Sequence, residues 1–277
     1  MPEIEIIQIR PSSRPGAAAL DDVVLYVSQF LAENKVSWSH SLNSVSSKKT
    51  RKILVGGHLL NEFKFLSSDD IVLNTEPLFE NKFRANTAFH NLITSDQSPW
   101  IADYSLKNLS LVSGEKKYWT HFPALRSYSL DGLHDKKDLD LVFFGTISDS
   151  RLKKIRKLEK YGFSVSIISG LYGSYRDAEI CRAMYSINVH FFESKLFETI
   201  RCVTSMRLGV PVISEHVISS EIPKPFRESI IFWDFENGEA PALDRGTLLS
   251  QRGKLIENYL NTSESPEYDA QVEFFAR

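Results

Sequence analysis

Cysteine is almost missing from this chain. Cys181 and Cys202 are the only two in 277 residues, with no C-x-x-C and no Cys/His cluster. That excludes a disulfide scaffold and a structural zinc site, and both cysteines read as reduced core residues of a cytoplasmic protein. Charge of one sign is missing too. Lys and Arg total 33 against 35 Asp and Glu, a formal net charge of −2, so no global field draws the chain to nucleic acid, although local basic patches remain open. No apolar run approaches the roughly 18 residues of a membrane span. The opening MPEIEIIQIR alternates acidic and apolar residues and lacks the basic start and apolar core of a secretory leader. There is no internal repeat, no low-complexity tract, and no complete G-x-G-x-x-G or G-x-x-x-x-G-K-[ST] phosphate loop.

What is present is strand-helix alternation, twice. IEIIQI reads as a buried strand. Leu20, Val23, Val24, Val27 and Leu31 then recur at helical spacing, and KVSWSHSL, RKILVGG and DDIVLNTEPL supply further strands. Residues 126–140, RSYSLDGLHDKKDLD, turn polar and read as a linker. The alternation restarts with DLDLVFFGT, the basic helix SRLKKIRKLEKYG, the strand FSVSIIS, a helix RDAEICRAMYS and a strand INVHFF. A helix FETIRCVTSMRLG, strands VPVISE and SIIFWDF, and a terminal helix follow. The expected architecture is α/β, with two Rossmann-like lobes whose parallel sheets face a central cleft. The expected division is an N-terminal lobe over 1–125, the linker over 126–140 and a C-terminal lobe with its terminal helix over 141–277.

Ligands of such sheets bind beyond the carboxyl ends of the strands, so the residues just after each strand are the candidates. Gly145-Thr146 allows close backbone approach ahead of a helix N-terminus, which favours an anion, but a plain turn would look the same. In GLYGSYRD, residues 170–177, Gly170 and Gly173 permit positive φ, and Tyr172 or Tyr175 can stack on a base or sugar. Arg176 can fork onto a phosphate, and Asp177 can cap the helix expected to start there. His190 reads either as a satisfied core histidine or as a cleft residue. Glu198 and Arg201 are spaced i,i+3 for an ion pair worth a few tenths of a kcal/mol at a surface. Ser214 and Glu215 follow another strand, and Glu76 and Asp103 are carboxylates at strand ends of the N-terminal half.

The ordered set N-x-E-P-L, D-Y-S-x-x-N, D-L-V-F-F-G-T…R, Y-G-x-x-R-D, I-N-V-H-F-F, F-E-x-x-R and V-I-S-E resembles a group of bacterial glycosyltransferases of the two-Rossmann-domain, GT-B type. Many of these occur with capsule, lipopolysaccharide or other surface-glycan genes. The resemblance spans about residues 70–236 and is strongest over 141–215. It implies a sugar transferase with a nucleotide-activated donor held mainly by the C-terminal lobe and a glycan or lipid-linked acceptor against the N-terminal lobe. By position, it implies that Gly145, Thr146 and Arg176 meet the donor phosphates and that Tyr172 and Gly173 line the nucleotide pocket. Glu198 sits where ribose is often held, though the usual E-x7-E pattern is absent. His190, Arg201, Ser214 and Glu215 complete the donor side. Asp103 and Glu76 are the acceptor-side carboxylates, one serving as general base if transfer inverts, or as nucleophile or charge stabiliser if it retains.

Asp138-Leu-Asp140 matches the D-x-D of metal-dependent transferases but precedes its strand, so no metal cofactor is expected, and helix N-termini with Arg or Lys would meet the donor charge. The basic helix, with Leu152, Ile155 and Leu158 as its apolar stripe, reads as a solvated face or as a peripheral contact with an anionic inner membrane surface. Rival readings are another enzyme on this fold, a nucleotide-sugar epimerase or DNA-base glycosyltransferase, and a non-catalytic nucleotide-sugar-binding partner subunit.

Overall fold

In the computed structural model, the described residues are 3–45, 50–78, 86–95, 98–129, 137–192, 195–237 and 244–276. The chain divides into two units, one of Met1–His121 with Asp269–Arg277 and one of Phe122–Tyr268. Each is built on an all-parallel sheet.

The first unit has six strands: β1 (Ile4–Gln8), β2 (Trp38–Leu42), β3 (Arg51–Val55), β4 (Ile71–Asn74), β5 (Trp100–Asp103) and β6 (Lys117–Trp119), in the order β2-β1-β3-β4-β5-β6. All five residues of β1 and all four of β4 are buried, the pattern of central parallel strands covered on both faces. Helix α1 (Leu20–Glu33) lays Val23, Val27, Phe30 and Leu31 into this core. Helix α2 (Thr87–Ile93) starts at Asn86, whose side chain accepts from the Phe89 N–H. Helix α3 (Leu106–Leu109) is likewise capped by Ser105.

The second unit has β7 (Leu139–Phe144), β8 (Val165–Ile168), β9 (Ala183–Asn188), β10 (Val212–Glu215) and β11 (Ile230–Trp233), ordered β11-β10-β9-β7-β8. The alternation of β7 sends Leu141 and Phe143 to one apolar layer with Ile155, Leu158 and Ile187. Val142 and Phe144 go to the other with Ile168 and Ile180. Helices α4 (Asp149–Lys160), α5 (Gly173–Cys181), α6 (Thr199–Met206), α7 (Lys224–Arg227) and α8 (Arg245–Leu260) complete this unit, and α9 (Pro266–Ala276) ends the chain.

Three boundaries differ from the sequence reading. The stretch RDAEICRAMYS is not one helix: α5 ends at Cys181, and Ala183–Asn188 is a strand with all six residues buried. A buried strand and a buried helix face can share the same run of apolar residues, and here the pairing of β9 with both β7 and β10 decides between them. The passage between units falls at His121–Phe122, not within 126–140. Phe122, Ala124 and Leu125 are buried, and the Ala124 N–H donates to Thr262 Oγ1 at 2.9 Å. Residues 130–136 of the expected linker lie outside the described residues. Finally, the last residues belong to the first unit. Phe274 stacks on Tyr118 at 3.9 Å and meets Trp100 edge-on, Phe275 packs against Phe30, and Gln271 Nε2 donates to the Tyr26 hydroxyl. Among the described residues, no helix is long and apolar enough to cross a membrane.

Candidate donor site

The strand order of the second sheet, read from β8 through β7, β9, β10 and β11, reverses direction between β7 and β9. Open α/β sheets bind ligands beyond the carboxyl ends of their strands at such a switch point. Two stretches leave the sheet there: Gly145-Thr146 after β7 and Val189-His190 after β9.

A buried ion cluster joins them. Arg151, in the first turn of α4, is 1% exposed. Its guanidinium donates to the Val189 carbonyl at 2.8 Å, to the Thr146 carbonyl at 2.8 Å and to Glu198 Oε1 at 2.5 Å. Glu198 precedes α6, and its carboxylate also accepts from the Phe191 N–H at 3.2 Å and from Arg201 at 2.7 Å. Arg201 reaches on to Asn188 Oδ1 at 3.1 Å. Burial pulls the Arg151 pKa down to about 10 against the opposing pull of Glu198, so it stays charged at neutral pH. For Glu198, burial pushes the carboxyl up, but the Arg201 and Arg151 guanidiniums outweigh it and leave it below its ordinary range. The pair expected to be a weak surface contact is therefore part of a largely buried triad in which the Glu198 side chain stays 25% exposed.

Gly145 fits this arrangement. Its φ is +128°, and a Cβ there would meet the Arg201 guanidinium at 2.8 Å. Thr146 is exposed and gives its carbonyl to Arg151. Helix α4 starts at Ser148, whose hydroxyl accepts from the Arg151 N–H. Further along, Lys154 pairs with Glu215 at 2.5 Å and Glu236 at 3.4 Å, and Lys195 lies 3.5 Å from Glu215. The described cluster thus holds four cations, Arg151, Lys154, Lys195 and Arg201, against three carboxylates, Glu198, Glu215 and Glu236.

His190 lies one residue beyond Val189, past the end of β9, and not inside a strand. It is 5% exposed, and its backbone N–H donates to Glu215 Oε2 at 3.1 Å. Neither ring nitrogen has a hydrogen-bond partner among the described residues. Burial, with help from Arg201, holds its pKa below the ordinary value despite Glu198 and Glu215 nearby.

Several expected contacts need correction. Arg176 is 3% exposed and committed to Asp177, its Nε and Nη2 donating to Oδ1 at 3.0 and 2.7 Å, so it is not a cation presented to a phosphate. Asp177 is no helix cap. Helix α5 starts at Gly173, and Asp177 sits inside it, also accepting from Arg207. Ser214 is fully buried, accepting from Asn188 Nδ2 and donating to the Glu215 carbonyl, and so braces the strand ends from within. Tyr172 is half-buried; Gly173, at φ +63°, opens the helix with nothing within 4 Å of a Cβ, and Tyr175 is 79% exposed. The Asp138/Asp140 pair lies at the amino end of β7, bound to Arg182 and to Ser164 with Arg245.

The first unit gives its carboxylates a different setting. Asn74 and Asp103 are register partners on β4 and β5, and Asn74 Nδ2 donates to Asp103 Oδ2 at 2.6 Å. Asp103 Oδ1 accepts from the Ser105 N–H at 2.8 Å, and Asn108 Nδ2 reaches both oxygens. Asp103 is fully buried. It joins two strands and a helix start, a positioning role and not that of a base open to substrate. Glu76 is half-buried, and its carbonyl is held by Asn74 at 2.7 Å and Asn108 at 2.9 Å. The sheet's own switch point lies elsewhere, between β1 and β3. There Arg10 pairs with Asp21 at 2.7 Å, Gln8 bridges Asp21 and His40, and Gly56 has φ +85°, where a Cβ would meet the Ile9 carbonyl oxygen at 2.8 Å.

Sequence reading missed Arg151, Lys154, Arg10 and Asp21. The first was discoverable: Arg151, Ile155 and Leu158 stand at i, i+4 and i+7, one helix face.

No family model matches the chain. Uncharacterized protein L137 of Acanthamoeba polyphaga mimivirus is 26% identical over 212 residues, 74% of this chain and 28% of that protein. Uncharacterized protein L138 of the same virus is 29% identical over 92 residues, 32% of this chain and 10% of that protein. The chain thus matches less than a third of the length of either curated relative. Among solved structures, AviGT4, a glycosyltransferase involved in avilamycin A biosynthesis, superposes with a TM-score of 0.64 at 12% identity, covering 100% of this chain and 98% of that one. WaaG, a glycosyltransferase involved in lipopolysaccharide biosynthesis, gives 0.53 at 12% identity over 99% and 98% of the two chains. The fold is that of the GT-B glycosyltransferases. An alpha-glucosyltransferase in complex with UDP and a mismatched DNA shares it with a TM-score of 0.51 at 9% identity.

Proposed function

We propose that this chain carries the sugar-transfer machinery of a glycosyltransferase, moving a sugar from a nucleotide-activated donor to a hydroxyl of a glycan or glycolipid. The observation that carries the reading is the set of groups gathered at the β7/β9 switch point. The cation excess of that cluster suits a diphosphate, Gly145 lets the Arg201 guanidinium lie against the backbone where β7 ends, and His190 keeps two polar atoms unmatched among the described residues. Gly145-Thr146, the start of α4 and Arg201 are the groups we assign to the donor phosphates, without a metal ion. Tyr172 and Gly173 are assigned to the nucleotide. Arg176 and Ser214 support the sheet ends from inside. On the acceptor side the base is assigned to Glu76, the half-buried carboxylate of the two, with Asp103 and the two asparagines fixing its backbone.

A structural neighbour, WaaG, is a glycosyltransferase involved in lipopolysaccharide biosynthesis, which supports a carbohydrate acceptor. A bacterial surface polysaccharide remains the acceptor proposed from the sequence resemblance, whereas the curated relatives are viral. The neighbour bound to UDP and DNA supports a nucleobase acceptor as the second reading.

The test is a thermal-shift screen with UDP-, GDP-, CMP- and dTDP-linked sugars. Mass spectrometry of glycan, glycolipid and DNA acceptors incubated with the stabilising donor then reads out transfer. One nucleotide class should raise Tm selectively, since ligand at a hundred times Kd stabilises by about 2.7 kcal/mol. No response to any donor overturns the proposal. Binding without transfer to any acceptor or hydrolysis of the donor would make the chain a sugar-nucleotide-binding subunit.

A further inference from the structure

We propose that His190 receives hydroxyls of the bound nucleotide sugar, its ring N–H donating to one and its other nitrogen accepting from a second, and does not touch the diphosphate. The inference rests on the donor-site reading above and adds the chemical identity of one contact.

Buried polar atoms in folded proteins nearly always have partners, and a native exception calls for an explanation. His190 is two exceptions in one ring, with both Nδ1 and Nε2 buried and unmatched among the described residues. The position is not accidental. The backbone N–H is fixed on Glu215, and the residue follows β9 where the sheet reverses. The neighbouring carboxylates are taken: Glu198 by Arg151 and Arg201, Glu215 by Lys154 and Lys195. A second orphan sits close by in sequence. The Thr199 hydroxyl, in the residue after Glu198 at the start of α6, is also buried and unmatched.

The charge state selects the ligand chemistry. A neutral imidazole offers one N–H and one lone pair on opposite sides of the ring, so two groups must meet it, and a hydroxyl can serve on either side as acceptor or donor. Phosphate oxygens only accept, so a phosphate would satisfy both nitrogens only if the ring took up a proton. Burial and the Arg201 guanidinium oppose that proton, and the charges of Glu198 and Glu215, spent on their cations, do not restore it. The hydroxyls can come from the ribose, from the transferred sugar or from both.

Calorimetric binding to the wild type, His190→Leu and His190→Gln separates the sources. The probes are UDP-glucose, UDP, 2′-deoxy-UDP and inorganic pyrophosphate, with the nucleotide replaced by whichever class stabilises the wild type. His190→Leu should weaken UDP-glucose by about tenfold, one hydrogen bond's worth, and leave pyrophosphate unchanged. His190→Gln, which keeps a donor and an acceptor, should recover part of that loss. A loss shared by UDP but not 2′-deoxy-UDP names the ribose, and a loss confined to UDP-glucose names the sugar. An equal loss for pyrophosphate, or no loss in His190→Leu, overturns the inference while leaving the donor site standing. Should no nucleotide bind the wild type, the parent reading falls and takes this one with it. Nitrogen NMR of the wild-type ring needs no variant: both nitrogens should shift on ligand addition with the ring still neutral, and a ring protonated by the ligand refutes the contact.

Discussion

The two units end their central strands in opposite ways. In the first, one carboxylate is surrounded by neutral donors until nothing is left over: Asp103 takes Asn74, Ser105 and Asn108, and the asparagines use their remaining capacity on Glu76 and Leu78. In the second, the groups are charged, and among the described residues the cations of the cluster outnumber its carboxylates and a buried imidazole has no partner. A saturated network gains nothing from a ligand and serves as architecture. An unsaturated one, kept at the price of burying Arg151 and most of Glu198, is the setting in which a ligand completes the structure.

The sharpest way to break this contrast is to remove Arg151. Arg151→Met keeps a long apolar side chain against Phe143 but strands the Val189 and Thr146 carbonyls and leaves Glu198 with the Arg201 guanidinium and the Phe191 N–H. Urea denaturation should show a loss on the order of 4 kcal/mol, as for other broken buried ion pairs. A loss below about 1 kcal/mol would mean that the cluster is effectively solvated and that the second unit differs from the first only in composition.

Asp103 tests the other side, with a smaller expected effect. Asp103→Ala leaves buried amides unmatched, and Asp103→Asn turns one acceptor into a donor facing donors. Each should cost about 2 kcal/mol by denaturation. If Asp103→Asn keeps full stability and abolishes transfer, Asp103 is a base after all and the first unit's network is a catalytic site.

Much of this architecture can be read from the chain. The apolar-rich runs IEIIQ, ILV and LVFF announce parallel strands, and the glycines and charged residues that follow them mark the right end of each sheet. Three features escape a reading of local pattern, each for a physical reason. Arg151 belongs to a run of basic residues, and a periodicity that counts only apolar positions treats it as solvated, although it shares a face with Ile155 and Leu158. The segment Ala183–Asn188 is apolar enough for a strand or a buried helix, and only pairing with β7 and β10 settles it. Phe274 and Phe275 are far in sequence from Tyr118 and Phe30, so no local pattern assigns them to the first unit. The same limit applies to Asp103 and Arg176. Residue type and strand-end position nominate them, but whether their charges are already spent depends on neighbours that the local sequence does not reveal.

The smallest effect, and the one most specific to the unmatched imidazole, is in the pH dependence of stability. The folded ring of His190 has its pKa held below the ordinary 6.5, chiefly by burial. In the unfolded chain the ring takes up a proton near 6.5, so below that pH the unfolded state binds more protons than the folded one. Stability must then fall as pH drops, until the folded pKa is passed. Glu198 and Glu215 act in a lower window. Burial raises both, but their cationic partners win and set both folded pKa values below the ordinary 4.5. The stability they confer is present above about 4.5 and disappears as pH falls through the folded values. Urea denaturation of wild type and His190→Gln between pH 7.5 and 5.5 isolates the upper window, because the other histidines cancel in the difference. The wild type should lose stability faster than the variant over that range. Parallel curves would mean that the ring is hydrated or partnered, and the difference between the two ends of the molecule would narrow to the ion cluster alone.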